Sequence, residues 1–124
     1  MRKVLVGCVT FGVMLCTALG ITRAGLFAKP KHDIKEVMAQ AHKSKLVNKV
    51  QDGGASKEEK EKLLTLYVDL YDNKPPKGDA ASWSQKTGAL VVASAKALLG
   101  TEGATESLKT AANCAACHKE HKPN

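Results

Sequence analysis

The sequence predicts an all-α protein, an antiparallel up-down bundle of four helices, and three observations support this prediction. Apolar residues recur at three- and four-residue steps in four segments of the chain beyond residue 30. Stretches rich in Gly, Pro or Asn separate these segments, which places breaks between helices. No segment alternates convincingly between apolar and polar residues, as a half-buried strand would. Short connections between helices favour antiparallel neighbours.

The first two helices have recognisable starts and stops. Asp33 is a plausible N-cap for a helix that runs to about Val50, before Asp52-Gly53-Gly54 ends it. Ser56 and Glu59 form a capping box at the start of the second helix, and the prolines at 75 and 76 follow its end. Their predicted core residues are Ile34, Val37, Met38, Ala41 and Leu46, then Leu63, Leu66, Tyr67, Leu70 and Tyr71.

The third and fourth helices follow the same logic. Asp79 can cap the third helix, and residues 100–103, which include two glycines, end it. The fourth helix is predicted from about Ala104 to Lys119. The predicted apolar stripes are Trp83, Thr87, Leu90, Val91, Ser94, Ala97 and Leu98, then Leu108, Ala111, Ala115 and His118.

Composition limits the class of protein and suggests a lean core. With 124 residues, 44% hydrophobic and 25% charged, the chain is one ordinary domain and neither disordered nor collagen-like. Aromatic residues make up only 4%, and Ala, Ser and Thr occupy many core positions. A tightly packed interior needs volume, which a large planar cofactor between the helices would supply.

The N-terminal residues read as a secretory signal peptide. A basic start, Met1-Arg2-Lys3, precedes an uncharged run from 4 to 21, and small residues follow. We expect residues 1–24 to be removed, with cleavage after Ala24 or after Ala28, which leaves 29–124 as the exported domain. An uncleaved membrane anchor is the alternative, because the apolar run is close to spanning length.

Removing residues 1–24 changes both the charge and the cysteine content. The net charge falls from +7 to +4, and every remaining basic residue other than histidine is Lys. The absence of Arg argues against nucleic-acid binding, since Arg is the better residue for bidentate base or phosphate contacts. A mildly basic surface suits an acidic protein partner. Of the four cysteines, only Cys114 and Cys117 remain.

One motif indicates chemistry. Residues 114–118 read Cys-Ala-Ala-Cys-His, the C-x-x-C-H signature of c-type haem attachment. On a helix the two sulfurs lie nearly one turn apart, so both can form thioethers with the haem vinyl groups, and His118 becomes the proximal iron ligand. Attachment outside the cytoplasm agrees with a signal peptide. The sequence therefore predicts one covalently attached haem c.

Two other kinds of site use the same cysteines. A redox disulfide is the first, but its usual βαβ context is missing from the sequence pattern. Zinc is the second, bound through Cys114, Cys117 and either His118 or His121, and completed by His42 or His32. We find no acid–base pair or nucleophile that predicts an enzyme.

The sixth iron ligand stays open between three choices. Met1 and Met14 lie in the signal peptide, so Met38 is the only thioether in the exported domain, on the apolar stripe of the first helix. His42 lies one turn further along the same face and competes with it. An open sixth position, with Met38 simply filling the core, is the remaining choice.

A helical chain with C-x-x-C-H near its C-terminus and a Met on its first helix resembles the class II cytochromes c. The resemblance covers about Lys31 to the end and implies a four-helix bundle with the haem lodged between helices. It implies Cys114 and Cys117 as thioether anchors, His118 as proximal ligand and Met38 as distal ligand. The family includes low-spin members with such a Met and five-coordinate cytochromes c′.

The expected function follows from that resemblance. We expect a periplasmic one-electron carrier of a Gram-negative-type bacterium, working between redox partner proteins and docking through lysines such as Lys119 and Lys122. The alternative is a five-coordinate protein that binds NO or CO. Homodimers occur in the family, and membrane attachment would require the N-terminal segment to stay uncleaved.

Overall fold

The computed structural model describes residues 29–124, and all regular secondary structure in that range is helical. The segments are α1 (Ile34–Val37), a π-helix (Met38–Lys43), α2 (Leu46–Gln51), α3 (Lys57–Asp72), α4 (Ala80–Leu99), α5 (Ala104–Ala111) and α6 (Cys114–His121). The prediction of an all-α fold is confirmed. The predicted signal peptide lies outside the described residues.

The two long helices begin and end where the sequence predicts. The Ser56 side chain accepts a hydrogen bond from the Glu59 amide while the Glu59 carboxylate accepts one from the Ser56 amide, completing the capping box. Asp79 caps α4 by accepting from the Ser82 amide. The seven-residue connection from 73 to 79 joins α3 and α4 into a packed helical pair, against which α5 lies.

The single first helix expected from Asp33 to Val50 is wrong. Asp33 does cap α1, but the backbone then widens into the π-helix and turns at Lys45, whose φ is +62°. The Ser44 amide donates a hydrogen bond to the carbonyl five residues earlier, at Ala39. The Ser44 hydroxyl donates a second hydrogen bond to the Gln40 carbonyl. Such side-chain bonding to a helix carbonyl competes with the backbone ladder and bends helices.

The single last helix expected from Ala104 to Lys119 is also wrong. It divides at Ala112 and Asn113, and the Asn113 side chain accepts a hydrogen bond from the Ala116 amide to cap α6. Asn is a preferred N-cap because its side chain satisfies an otherwise unpaired amide. The division separates the cysteine-bearing helix from α5, so that the two can take different directions.

The core follows the predicted stripes with a few differences. Tyr67 and Trp83 are its large aromatic residues, and Tyr67 is completely buried. Tyr71 was expected inside but is 45% exposed, lying beside Gly88 on α4. Ala115 and His118, also expected on an apolar stripe, are exposed. The buried apolar residues are Val37, Ala41, Leu46, Val47, Val50, Leu63, Leu66, Tyr67, Leu70, Trp83, Leu90, Ala93, Ala97, Ala104 and Leu108.

Candidate functional site

A cavity of about 570 Å³ lies where the N-terminal segment, α4 and α6 meet, and its walls are mainly apolar. Its volume falls within the range of small-molecule and cofactor sites. The cavity is lined by Cys114, Cys117 and His118 from α6, and by Met38 and His42 from the π-helix. The fold therefore brings to one cavity every residue for which the sequence predicts a role at the iron.

The three motif residues meet the cavity with different exposure. Cys114, the first residue of α6, is exposed, as is His118, whereas Cys117 is half-buried and packs against the core. No disulfide joins the two cysteines. Burial raises the pKa of the Cys117 thiol, which Lys86 only partly offsets.

Met38 and His42 present two different donor atoms to the cavity. Met38 is half-buried and packs against the core. His42 is half-buried, and its Nε2 lies 3.5 Å from the buried Tyr67 hydroxyl. Burial lowers the pKa of His42, and the nearby His118 lowers it further. Both effects favour the neutral form of the His42 ring over its charged form.

The π-helix that carries both residues was missed by the sequence analysis. An α-helix places residues three and four apart on one face, whereas the π-helix widens the turn between Met38 and Lys43. π-Helical turns are frequent at functional sites. The only signal for this one is Ser44, which can bond a carbonyl four residues earlier, and that signal is weak.

His121 also lines the cavity, in a role the sequence analysis did not foresee. It is only 2% exposed, and its Nδ1 donates to the Lys77 carbonyl at 2.8 Å. Its Nε2 lies 3.4 Å from the Ser82 hydroxyl, and its ring meets Trp83 edge to face at 5.3 Å. Both ring nitrogens are therefore engaged with the α3–α4 connection and α4, and His121 fastens α6 there.

Two further contacts support this attachment of α6. A Cβ on Gly78, whose φ is +83°, would lie 2.8 Å from the Glu120 carbonyl oxygen and 2.9 Å from His121 Nδ1. Glycine is needed there because the two backbones approach so closely. Lys86 on α4 pairs with the Glu120 carboxylate. The end of the motif helix is thus held by backbone, aromatic and ionic contacts.

The side chain of His32 contacts Asp69 on α3, away from the cavity. Its Nδ1 lies 2.6 Å from Asp69 Oδ2, and the Lys31 amide donates to Asp69 Oδ1 at 3.1 Å. The Asn73 side-chain amide donates to the His32 carbonyl at 2.9 Å. These bonds tie the segment before α1 to the end of α3 and take His32 out of the cavity. Within residues 29–124, no three His, Cys, Asp or Glu side chains converge to hold a metal ion.

Comparisons with known proteins do not identify the chain: no family model, no curated protein and no solved structure matches it. No helix within residues 29–124 has the length and apolar character needed to cross a membrane.

Proposed function

We propose that this chain is an exported, mono-haem c-type cytochrome of the class II kind that carries single electrons between redox partner proteins. One observation carries the proposal: the C-x-x-C-H motif of α6 and the only thioether of the exported domain, Met38, line the same apolar cavity. The signal peptide predicted at residues 1–24 supports a periplasmic location, where such attachment takes place.

The residues around the cavity fit a haem. Its walls are largely apolar, as the faces of a porphyrin require, and its volume suits a cofactor. Cys114 and Cys117 are three residues apart on α6, so their sulfurs emerge on one side of the helix. His118 follows directly and offers an imidazole nitrogen. Haem supplies an iron that alternates between two oxidation states, and the reaction here is the gain and loss of one electron.

Met38 is the proposed sixth ligand. His42 is the alternative, but the Tyr67 hydroxyl lies against its Nε2, and the thioether of Met38 has no such partner among the described residues. A Met/His pair gives the iron a higher reduction potential than a bis-His pair and leaves no open position for a substrate. Both properties suit an electron carrier better than an enzyme.

A five-coordinate protein that binds NO or CO is the second candidate function. One observation favours it: Met38 packs against the hydrophobic core, where it can serve as filling alone.

The four-helix bundle architecture of the class II cytochromes c is part of the same proposal. In this arrangement α1, the π-helix and α2 take the place of the first bundle helix, and α5 with α6 take the place of the fourth.

Matched variants of the two rival ligands test the proposal. The protein would be exported in a bacterium with a haem c maturation system, as wild type, Met38→Ala and His42→Gln. We expect covalent haem in all three, a low-spin spectrum with the far-red Met–iron band in wild type and His42→Gln, and loss of that band in Met38→Ala. An unchanged spectrum in Met38→Ala contradicts the ligand assignment. Rapid CO binding by the reduced wild type favours the second candidate.

A further inference from the structure

We infer that Tyr67 determines which side chain can bind the iron, because its hydroxyl withholds His42 from the sixth position. Tyr67 acts through His42 and is therefore a positioning residue. The inference rests on the proposed function, since it concerns the ligands of the group held in the cavity. It applies to both candidate functions, because His42 is withheld whether Met38 binds the iron or the sixth position stays open.

Two donor side chains of the π-helix compete for one position. Met38 and His42 lie four residues apart, and both line the cavity. Imidazole nitrogen is a common ligand for iron, whereas thioether sulfur suits softer metals. An unrestrained His42 would therefore be the stronger competitor, and a Met38 ligand requires a feature of the fold that restrains His42.

The Tyr67 hydroxyl is a donor held in one place. Tyr67 lies within α3, and its side chain is completely buried. Leu63 and Leu70, on the same face of the helix, are buried as well, so the ring is packed on both sides along α3. Burial raises the pKa of the Tyr67 hydroxyl, and the nearby Cys114 raises it further. The hydroxyl therefore stays protonated, close to the motif helix.

His42 is the partner of that donor. Its Nε2 lies 3.5 Å from the Tyr67 oxygen, and the two ring centroids are 5.8 Å apart. The Tyr67 hydroxyl has no other hydrogen-bond partner within residues 29–124. A buried hydroxyl without a partner is costly, so the hydroxyl donates to Nε2, and the neutral ring then carries its proton at Nδ1.

This hydrogen bond takes both nitrogens of His42 out of competition. The lone pair at Nε2, which would bind iron, is the one that accepts the proton of Tyr67. To bind iron through Nε2, His42 must break this bond and leave a buried hydroxyl unpaired. In the same tautomer, Nδ1 carries a proton and offers no lone pair. Met38 meets no such cost, because its thioether has no hydrogen-bond partner among the described residues.

Tyr67→Phe tests the inference in the exported, haem-loaded full chain. The substitution removes only the hydroxyl oxygen, so the buried ring still fills the core. We expect His42 to bind the iron in this variant. The oxidised protein should then be low-spin without the far-red Met–iron band. Its reduction potential should fall below that of a Met-ligated wild type, as a bis-His pair implies.

Adding His42→Gln to Tyr67→Phe shows whether the effect passes through His42. The double variant lacks the rival imidazole, so its spectrum and reduction potential should return to those of the wild type. Tyr71→Phe is the matched control, because it makes the same chemical change on the same helix at a side chain that is 45% exposed. Its spectrum and potential should equal those of the wild type.

Three results would overturn the inference. A Tyr67→Phe protein with the spectrum and potential of the wild type shows that the hydroxyl does not restrain His42. An altered spectrum that persists in the double variant shows that Tyr67 acts through packing alone. A low-spin wild type without the far-red band, whose spectrum changes in His42→Gln, shows that His42 already binds the iron.

Failure of the proposed function looks different. An unstained wild-type band after denaturing electrophoresis rejects the cytochrome, and this inference with it, before any Tyr67 variant is compared. A stained wild type with one of the three results above rejects the role of Tyr67 and leaves the cytochrome standing. A stained, high-spin wild type that Tyr67→Phe converts to low spin supports the role of Tyr67 within the five-coordinate candidate function.

Discussion

Replacing His121 with Ala tests how α6 is held at the cavity. The change removes the donor to the Lys77 carbonyl, whose bond is 2.8 Å long, and the edge-to-face contact with Trp83. Leaving a buried polar partner unsatisfied costs about 1–3 kcal/mol, and an aromatic pair contributes about 0.5–1.5 kcal/mol. Because both contacts are lost together at a residue that is 2% exposed, we expect a loss of about 3 kcal/mol in the free energy of unfolding.

Urea unfolding followed by far-UV circular dichroism measures that loss. With a slope of about 1.5 kcal/mol per M, the midpoint of His121→Ala should fall by about 2 M. Lys119→Ala is the matched control, since Lys119 lies on the same helix but is exposed, and it should stay within about 0.5 kcal/mol of wild type. Equal midpoints for the two variants would refute the reasoning that His121 fastens α6 to the α3–α4 connection.

Two further predictions concern the contacts around this helix and the N-terminal segment. Gly78→Ala should cost about 2–3 kcal/mol in urea unfolding, because the Cβ would meet the Glu120 carbonyl at a left-handed backbone position. Gly53→Ala, also left-handed but with nothing within 4 Å, should cost only about 1–2 kcal/mol, and equal losses would show that the close approach is unimportant. Burial alone would raise the pKa of Asp69, but hydrogen bonds from His32 and the Lys31 amide outweigh it, and the pKa is lowered. A lowered carboxyl pKa stabilises the fold above the unfolded-state value of about 3.9, and this stabilisation is lost as the pH falls further. Asp69→Asn should therefore be less stable than wild type at neutral pH, with the gap closing below about pH 4, and a gap independent of pH would contradict this account.

The sequence predicts best those features that depend on hydrogen bonds between residues close together in the chain. The starts of α3 and α4 depend on side chains that bond amides three residues away, Ser56 to Glu59 and Asp79 to Ser82. The apolar stripe of α3 is equally local, since the helical period alone places Leu63, Leu66 and Leu70 on one face. By its spacing Tyr71 belongs to the same stripe, but it lies at the edge of the buried face and its side chain is 45% exposed.

The breaks in the first and last helices are not visible in the apolar periodicity. Asn113 is a recognisable N-cap, but the apolar spacing continues through it, so the pattern favours one helix. Lys45 has a left-handed backbone conformation, which Lys rarely adopts. Gly, the usual sequence signal for such a conformation, is absent from this position.

One part of the candidate site can be predicted from the sequence, and the other part depends on the fold. Cys114, Cys117 and His118 are adjacent in sequence, so their chemistry can be recognised without a fold. The meeting of this motif with Met38 and His42 in one cavity is tertiary and depends on how α6 is attached. The sequence indicates His121 only as an alternative zinc ligand, whereas its ring bonds the Lys77 carbonyl and contacts Trp83. Periodicity within one helix cannot reveal a partner on another.

Haem staining after denaturing electrophoresis tests the central claim most directly. The chain would be exported in a bacterium with haem c maturation and compared with a Cys114→Ala/Cys117→Ala variant that lacks both thioether anchors. The account predicts a stained band for the wild type, a low-spin spectrum with the far-red Met–iron band in its oxidised form, and no stain for the double variant. An unstained wild-type band, produced beside a known c-type cytochrome that does stain, would contradict the account.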